Sequence, residues 1–243
     1  MGERKKYHRG RRKKKKGGII STLILIIAIA VFCVSGYQLY KIFGGYHQGK
    51  SEYDKVREVA VHGDDKDEDE FVVDFDELKK INADTVGWIR FYPEPSQISY
   101  PLVQTTDNDL YLNRTFSANE NTVGAIFVNC DNASDFSDRN TIIYGHRMRD
   151  HSMFHDLEKY KDESFWKENP YFYIYTPDGR KLTCHIYSAG IVKDTSSTYL
   201  AQFASDEEYQ AFLDDTKRAG AYHTGVEVTT DQRVVTLSTC TAA

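Results

Sequence analysis

The run Thr236-Leu237-Ser238-Thr239-Cys240 delivers a thiol at the end of a polar, β-prone stretch. Side chains alternate on a strand, so Val235, Leu237 and Thr239 share one face while Thr236, Ser238 and Cys240 share the other. The apolar pair belongs in a core, which leaves Cys240 among hydroxyls at the C-terminal edge of the strand. A nucleophilic thiol needs a neighbouring group that generates thiolate or later donates a proton. In Asn140-Thr141-Ile142-Ile143-Tyr144-Gly145-His146, the residues Ile142, Tyr144 and His146 share a face, and His146 follows a glycine at which the backbone can turn. Two strand-end residues, Cys240 and His146, thus have the make-up of a covalent acyl-transfer pair. Taken singly, each has an ordinary reading as a core cysteine and a structural histidine. The remaining histidines outside the apolar N-terminal stretch (His47, His62, His151, His155, His185, His223) lack an equally sharp local context.

The elements that must position this pair are mostly short strands. Phe75 to Asn82 reads as a short helix with Phe75, Leu78 and Ile81 on one face. Strands are expected in Thr85–Tyr92, Ile98–Gln104, Val123–Cys130 and Thr141–His146, with Asp107–Phe116 helical or turn-like. Ser152–Asn169 reads as helical and stopped by Asn169-Pro170. Tyr171–Val192 is a strand, a Pro-Asp-Gly turn and a strand, a strong hairpin signal. Ser205 with Glu208 forms a capping-box pattern ahead of an amphipathic helix, and Gln232–Cys240 is the last strand. The fold class is mainly β with peripheral helices.

Charge divides the chain sharply. Residues 1–16 hold ten Lys/Arg against one acid, Glu3, whereas the rest carries 21 basic and 35 acidic residues. Residues 19–36 contain no charge and would form roughly 27 Å of helix, near the thickness of a bilayer core. Tyr37 and Tyr40 lie at its far edge, where aromatic residues anchor. The only Ala-x-Ala lies inside the apolar run and Phe32 precedes Cys33, which disfavours a cleaved or lipidated leader. The expected organisation is therefore a basic cytoplasmic tail (1–18), a transmembrane helix (19–40) and a linker (41–70) with a short helix near Ser51–Ala60 and an acidic run. A catalytic domain (71–243) then lies outside the membrane. The position of the basic tail makes membrane lipid, not nucleic acid, its expected partner. No CxxC pair or His spacing suited to zinc is present, so neither a metal nor another cofactor is expected. Counting allows one disulfide, Cys130–Cys184, although three external cysteines are not a disulfide framework.

At this point the motifs resemble a known family. "TLSTC" at 236–240, "IIYGH" at 142–146, "SMF" at 152–154, "YPLVQTTDNDLYLNRTF" at 100–116 and "GAIFV" at 124–128 are similar to those of the sortases, class B in particular. The resemblance covers Phe71 to Cys240. It implies an eight-stranded β-barrel with surrounding helices and cysteine transpeptidation at the surface of a Gram-positive cell. Cys240 would attack an NPxT-like sorting signal of a secreted protein, form a thioacyl-enzyme and pass the acyl group to a peptidoglycan precursor amine, with His146 handling the protons. The resemblance also implies that Asn108, Leu112, Tyr144, Ser238 and Tyr199 (with Leu200 beside it) bind the signal peptide. Family members carry an arginine beyond the cysteine on a final strand, and here only Thr241, Ala242 and Ala243 follow. Arg233 is roughly 23 Å upstream on an extended strand, and Arg147 and Arg149 merely flank His146. The expectation is a barrel without its last strand and weak transpeptidation. Two other readings stand beside it: an anchored peptide-binding pseudo-enzyme and a hydrolytic cysteine protease.

Overall fold

The computed structural model describes residues 17–63 and 70–240. Most of the acidic run and the basic tail, both singled out above, lie outside the described residues. Two compact units emerge, residues 1–44 and residues 45–243. In the first, helix α1 (Gly17–Ala60) begins, and its apolar side chains from Leu23 to Phe43 are exposed. It is one helix long and apolar enough to cross a membrane.

The second unit is organised by a seven-stranded sheet. Its strands are β3 (Thr85–Phe91), β4 (Ser99–Val103), β5 (Ile126–Val128), β6 (Asn140–Tyr144), β7 (Tyr171–Tyr175), β8 (Lys181–His185) and β9 (Val234–Ser238). Their order across the sheet is β8-β7-β3-β4-β5-β6-β9, a nearly closed barrel with β8 and β9 as its edges. A separate pair, β1 (Val61–His62) and β2 (Val72–Val73), is antiparallel. Among the described residues the barrel has seven strands, one fewer than the eight that the resemblance implies.

Strand β3 is buried at nearly every position, Thr85 and Arg90 included, the pattern of a strand covered on both faces. Trp88, Ile89 and Phe91 are almost wholly inaccessible. Phe91 pairs with Phe172 in register and their rings stack at 5.1 Å. The β7–β8 hairpin closes through the expected turn, with Gly179 at φ +83° and the Thr176 N–H donating to the Arg180 carbonyl (3.0 Å). A second, smaller core lies under α4 (Asp206–Ala219), where Tyr209, Phe212 and Leu213 meet Val228 and Val234. The capping box is made: Ser205 Oγ accepts from the Glu208 N–H (3.2 Å), and Glu208 reaches back to the Ala204 N–H (2.6 Å).

Two segments differ from the sequence reading, and a third feature settles a pairing that it left open. Residues 45–60, read as linker with a short helix, are helical throughout and belong to the folded body: Tyr53, Val56 and Ala60 are core residues. The hydroxyl of Tyr53 donates to the Gly124 carbonyl (2.8 Å) and accepts from the Phe116 N–H (3.1 Å). Arg57 donates to the Ser99 carbonyl (2.7 Å), and Glu52 accepts from the Ser117 N–H (3.0 Å). Second, the helical run expected from Ser152 to Asn169 is split into a 3-10 helix (His155–Lys161) and α3 (Glu163–Glu168). Asp162 splits it, because its extended backbone and side chain cap Ser164 (2.8 Å), a helix start rather than an interior. Third, all four cysteines are free.

Tyr53 satisfies two backbone groups in a buried place, so Tyr53→Phe leaves both without a partner. Urea unfolding is expected to show a loss of about 1–3 kcal/mol. An unchanged midpoint would mean that residues 45–60 contribute little to the stability of the body.

Candidate active site

Parallel strands must be joined by a long crossover, and β6 and β9 are such a pair. Their register is Asn140↔Val234, Ile142↔Thr236, Tyr144↔Ser238, and it continues one step further through the Gly145 N–H donating to the Ser238 carbonyl (3.1 Å). Because the strands run the same way, their C-terminal ends lie side by side, roughly 4.8 Å apart in the hydrogen-bonding direction. His146 follows the end of one and Cys240 the end of the other, each two residues past the Tyr144↔Ser238 pair. Both line the same cavity, about 1360 Å³ in volume, together with Leu112, Tyr144, Tyr199 and Ser238. Both edge strands of the barrel also contribute to its wall. The expected face alternation of β9 holds: Val235 and Leu237 pack on the main core, and Thr236 donates to the Asn140 side chain on the other side (2.8 Å).

The imidazole of His146 is held by backbone on two sides. Its Nε2 lies 2.6 Å from the Leu112 carbonyl oxygen. A carbonyl only accepts, so Nε2 carries the proton and Nδ1 is the basic nitrogen of the neutral ring. Gly124, at φ +66°, makes room for the ring: a Cβ there would stand 2.8 Å from His146 Cδ2 and equally close to the Tyr111 carbonyl. Gly145 is likewise compressed, since a Cβ would meet Phe154 at 2.7 Å. Beyond the histidine the chain turns back, with the Phe154 N–H donating to the His146 carbonyl (3.0 Å).

The other wall is aromatic. Tyr144 packs between Phe127 (5.4 Å) and Tyr199 (6.4 Å, rings nearly parallel). The Tyr199 hydroxyl and Ser238 Oγ are hydrogen-bonded at 3.0 Å, which ties the short 3-10 helix Ser197–Tyr199 to β9. Burial pushes the Tyr144 phenol up, with smaller contributions from Tyr199, Cys130 and Asp131, so this wall is neutral. Cys240 is exposed. Cys184 is a contrasting thiol: burial pushes it up to about 12.

Of the residues proposed from sequence, Leu112, Tyr144, Ser238, Tyr199, His146 and Cys240 come together at this cavity. Asn108 is placed differently. Its Oδ1 accepts from the Cys130 N–H (2.9 Å) and its Nδ2 donates to Asn129 Oδ1 (3.1 Å), joining the loop that leads to Leu112 to the turn after β5. Arg147 lines the cavity but is committed to Glu158 (2.6 Å), whose carboxylate it holds below the usual range. Two contributors escaped the sequence reading, the Leu112 carbonyl and Gly124. A glycine directly ahead of the apolar run Ala125–Val128 was the available signal for the second.

The fold is a nearly closed β-barrel whose strand-end cysteine and strand-end histidine line one cavity, and comparison with known proteins names its class. The sortase domain family matches residues 94–243. Sortase B of Staphylococcus aureus (strain NCTC 8325 / PS 47) is 31% identical over 219 residues, covering 90% of this chain and 88% of that protein. The crystal structure of sortase B from B. anthracis in complex with AAEK1 superimposes with a TM-score of 0.72 at 32% identity, covering 83% of this chain and 94% of the other. The Staphylococcus aureus sortase B–substrate complex gives 0.65 at 36% identity, covering 70% and 77%. This chain belongs to the sortase family, and its relatives place it with the class B transpeptidases.

Burial pushes the Cys184 thiol up, so at pH 8 it is held in the unreactive protonated form and is only partly accessible, whereas Cys240 is exposed. Iodoacetamide at pH 8 is therefore expected to label Cys240 and spare Cys184 in the folded chain, with Cys184 reacting only in urea. Peptide mass mapping checks this, and equal labelling of the two in the native state would contradict the placement of both.

Proposed function

We propose that this chain is a membrane-anchored sortase B-type transpeptidase that cleaves an NPxT-like sorting signal and joins the carrier protein to a cell-wall amine. The observation that carries this reading is the in-register parallel pairing of β6 and β9, which brings His146 and Cys240 to one end of one cavity. In the first step the Cys240 thiol passes its proton to His146 Nδ1 as Sγ attacks the carbonyl carbon after the signal's threonine; a C–S bond forms, and the C–N bond breaks as the imidazolium gives that proton to the departing amine. In the second, the amine of a peptidoglycan precursor attacks the thioacyl carbon, His146 takes its proton, the C–S bond breaks and the thiolate returns. With Nε2 bound to the Leu112 carbonyl, Nδ1 is the nitrogen that moves protons.

Leu112, Tyr144, Tyr199 and Ser238 would line the signal-peptide groove, and Asn108 would shape the loop that presents Leu112. The apolar part of α1 would be the anchor. The ten basic residues before it put the N-terminus in the cytoplasm and the barrel outside, where secreted substrates arrive. The sorting-signal substrate is supported by a relative solved as a substrate complex.

Incubating the full chain in detergent with an NPxT peptide should give a Cys240 thioacyl adduct by mass spectrometry, and hydroxylamine should divert it to the hydroxamate. His146→Ala is expected to slow adduct formation by about 10²–10⁴-fold, and Cys240→Ala to abolish it. An adduct that forms but never transfers would favour the binding pseudo-enzyme. Release of free acid without diversion would favour a protease, and absence of any adduct would overturn the reading.

A further inference from the structure

The segment that leaves His146 folds back through an isolated bridge between Arg147 and Met153. His151, at φ +66°, makes the turn. Its ring comes to lie 4.1 Å from that of His155, and its Nδ1 sits 3.3 Å from Asp156 Oδ1. One nitrogen of each imidazole and one oxygen of Asp156 all lie within 4.8 Å of one another. His155 and Asp156 are 5% and 2% exposed, whereas His151 is open to solvent.

His155 shows what the trio is suited to bind. Its Nε2 lies 3.2 Å from Glu158 Oε1, and contact with a carboxylate favours the proton on that nitrogen. Its Nδ1 is then a lone-pair acceptor, and it is buried with no hydrogen-bond partner. A buried acceptor without a donor is costly, and a Lewis acid would satisfy it. An imidazole backed through its other N–H by a carboxylate is also the usual arrangement of a metal-binding histidine. Glu158 is fixed in turn by Arg147 (2.6 Å), and Lys159 sits on Asp156 Oδ2 (2.9 Å), leaving Oδ1 on the side of the imidazoles.

We propose that His151, His155 and Asp156 form a binding site for a zinc-class divalent cation, with water completing a four-coordinate shell. Two imidazoles and one carboxylate suit zinc and its neighbours rather than calcium or magnesium, which take oxygen-rich shells. Ligand atoms around tetrahedral zinc stand about 3.4 Å apart, given bonds near 2.05 Å. The His151–Asp156 pair already stands at 3.3 Å, close to that spacing, so the remaining adjustment is to draw the His155 nitrogen in from within 4.8 Å. The His151-x3-His155 spacing was the available hint in the sequence, and the approach of the two rings depends on the turn at His151. Occupancy would pin the hairpin that begins at His146, whatever reaction that histidine serves.

The test is zinc chloride titration of the full chain in detergent against a chromophoric chelator, in a Cys240→Ala background so that the exposed thiol takes no part. One zinc per chain is expected, with His151→Ala and Asp156→Asn each weakening binding about tenfold or more, and His223→Ala having no effect. Zinc should raise the Tm of the parent and not that of His151→Ala. Since His151 is exposed, its variant is expected to fold, with an unchanged circular dichroism spectrum as the check. No saturable binding, equal binding by His151→Ala, or displacement by equimolar calcium would each overturn the proposal.

Discussion

The parallel pairing of β6 with β9 is the constraint on which the site depends. Nothing local brings these strands together: the Thr236–Asn140 hydrogen bond spans 96 residues of chain. A parallel ladder fixes which ends coincide, and a slip of one residue would turn Ser238 and Cys240 to the opposite face. The register is therefore guarded from both sides. Val235 and Leu237 are drawn into the main core, Val234 into the small core under α4, and Thr236 and Ser238 are tied to Asn140 and Tyr199. The helix between the two strands does more than cross over, because its buried face sets the outer boundary of the strand that carries the thiol.

A second line of support runs from residues 45–60 to the histidine. Tyr53 grips the Gly124 carbonyl, and Gly124 is the residue against whose backbone the His146 ring rests. Leu112, whose carbonyl also closes on Gly124, supplies the oxygen that fixes the ring's tautomer. The imidazole is thus positioned mainly by backbone, which tolerates exchange of side chains but not of the glycine.

Much of this was legible in the chain. The alternation in Val235–Cys240, the Gly145-His146 strand end, the Pro-Asp-Gly hairpin and the Ser205–Glu208 capping box are local patterns, and each appears where its side chains require. The parts that were hidden share one physical property: they are made by main-chain atoms or by distant register. A carbonyl that holds His146 leaves no mark at Leu112, because every residue has one. Asp162 looked like an interior position of one long helix, since an acid there is unremarkable until its backbone is seen to be extended. Residues 45–60 read as a linker because their buried positions are few, and two of them, Tyr53 and Arg57, dock through polar atoms to partners far along the chain. Asn108 shows the reverse case, a residue marked by motif whose side chain is spent on joining two loops.

The Leu112 carbonyl has a consequence for the order of events. With one ring nitrogen permanently engaged, the imidazole has a single port for traffic. In the proposed reaction the departing and the arriving amine would both exchange protons through it, one after the other. Ping-pong order would then follow from the ring's anchorage: the first product would have to release the port before the acceptor is activated, and a crowded acceptor would act as a competitor of the leaving fragment rather than of the signal peptide.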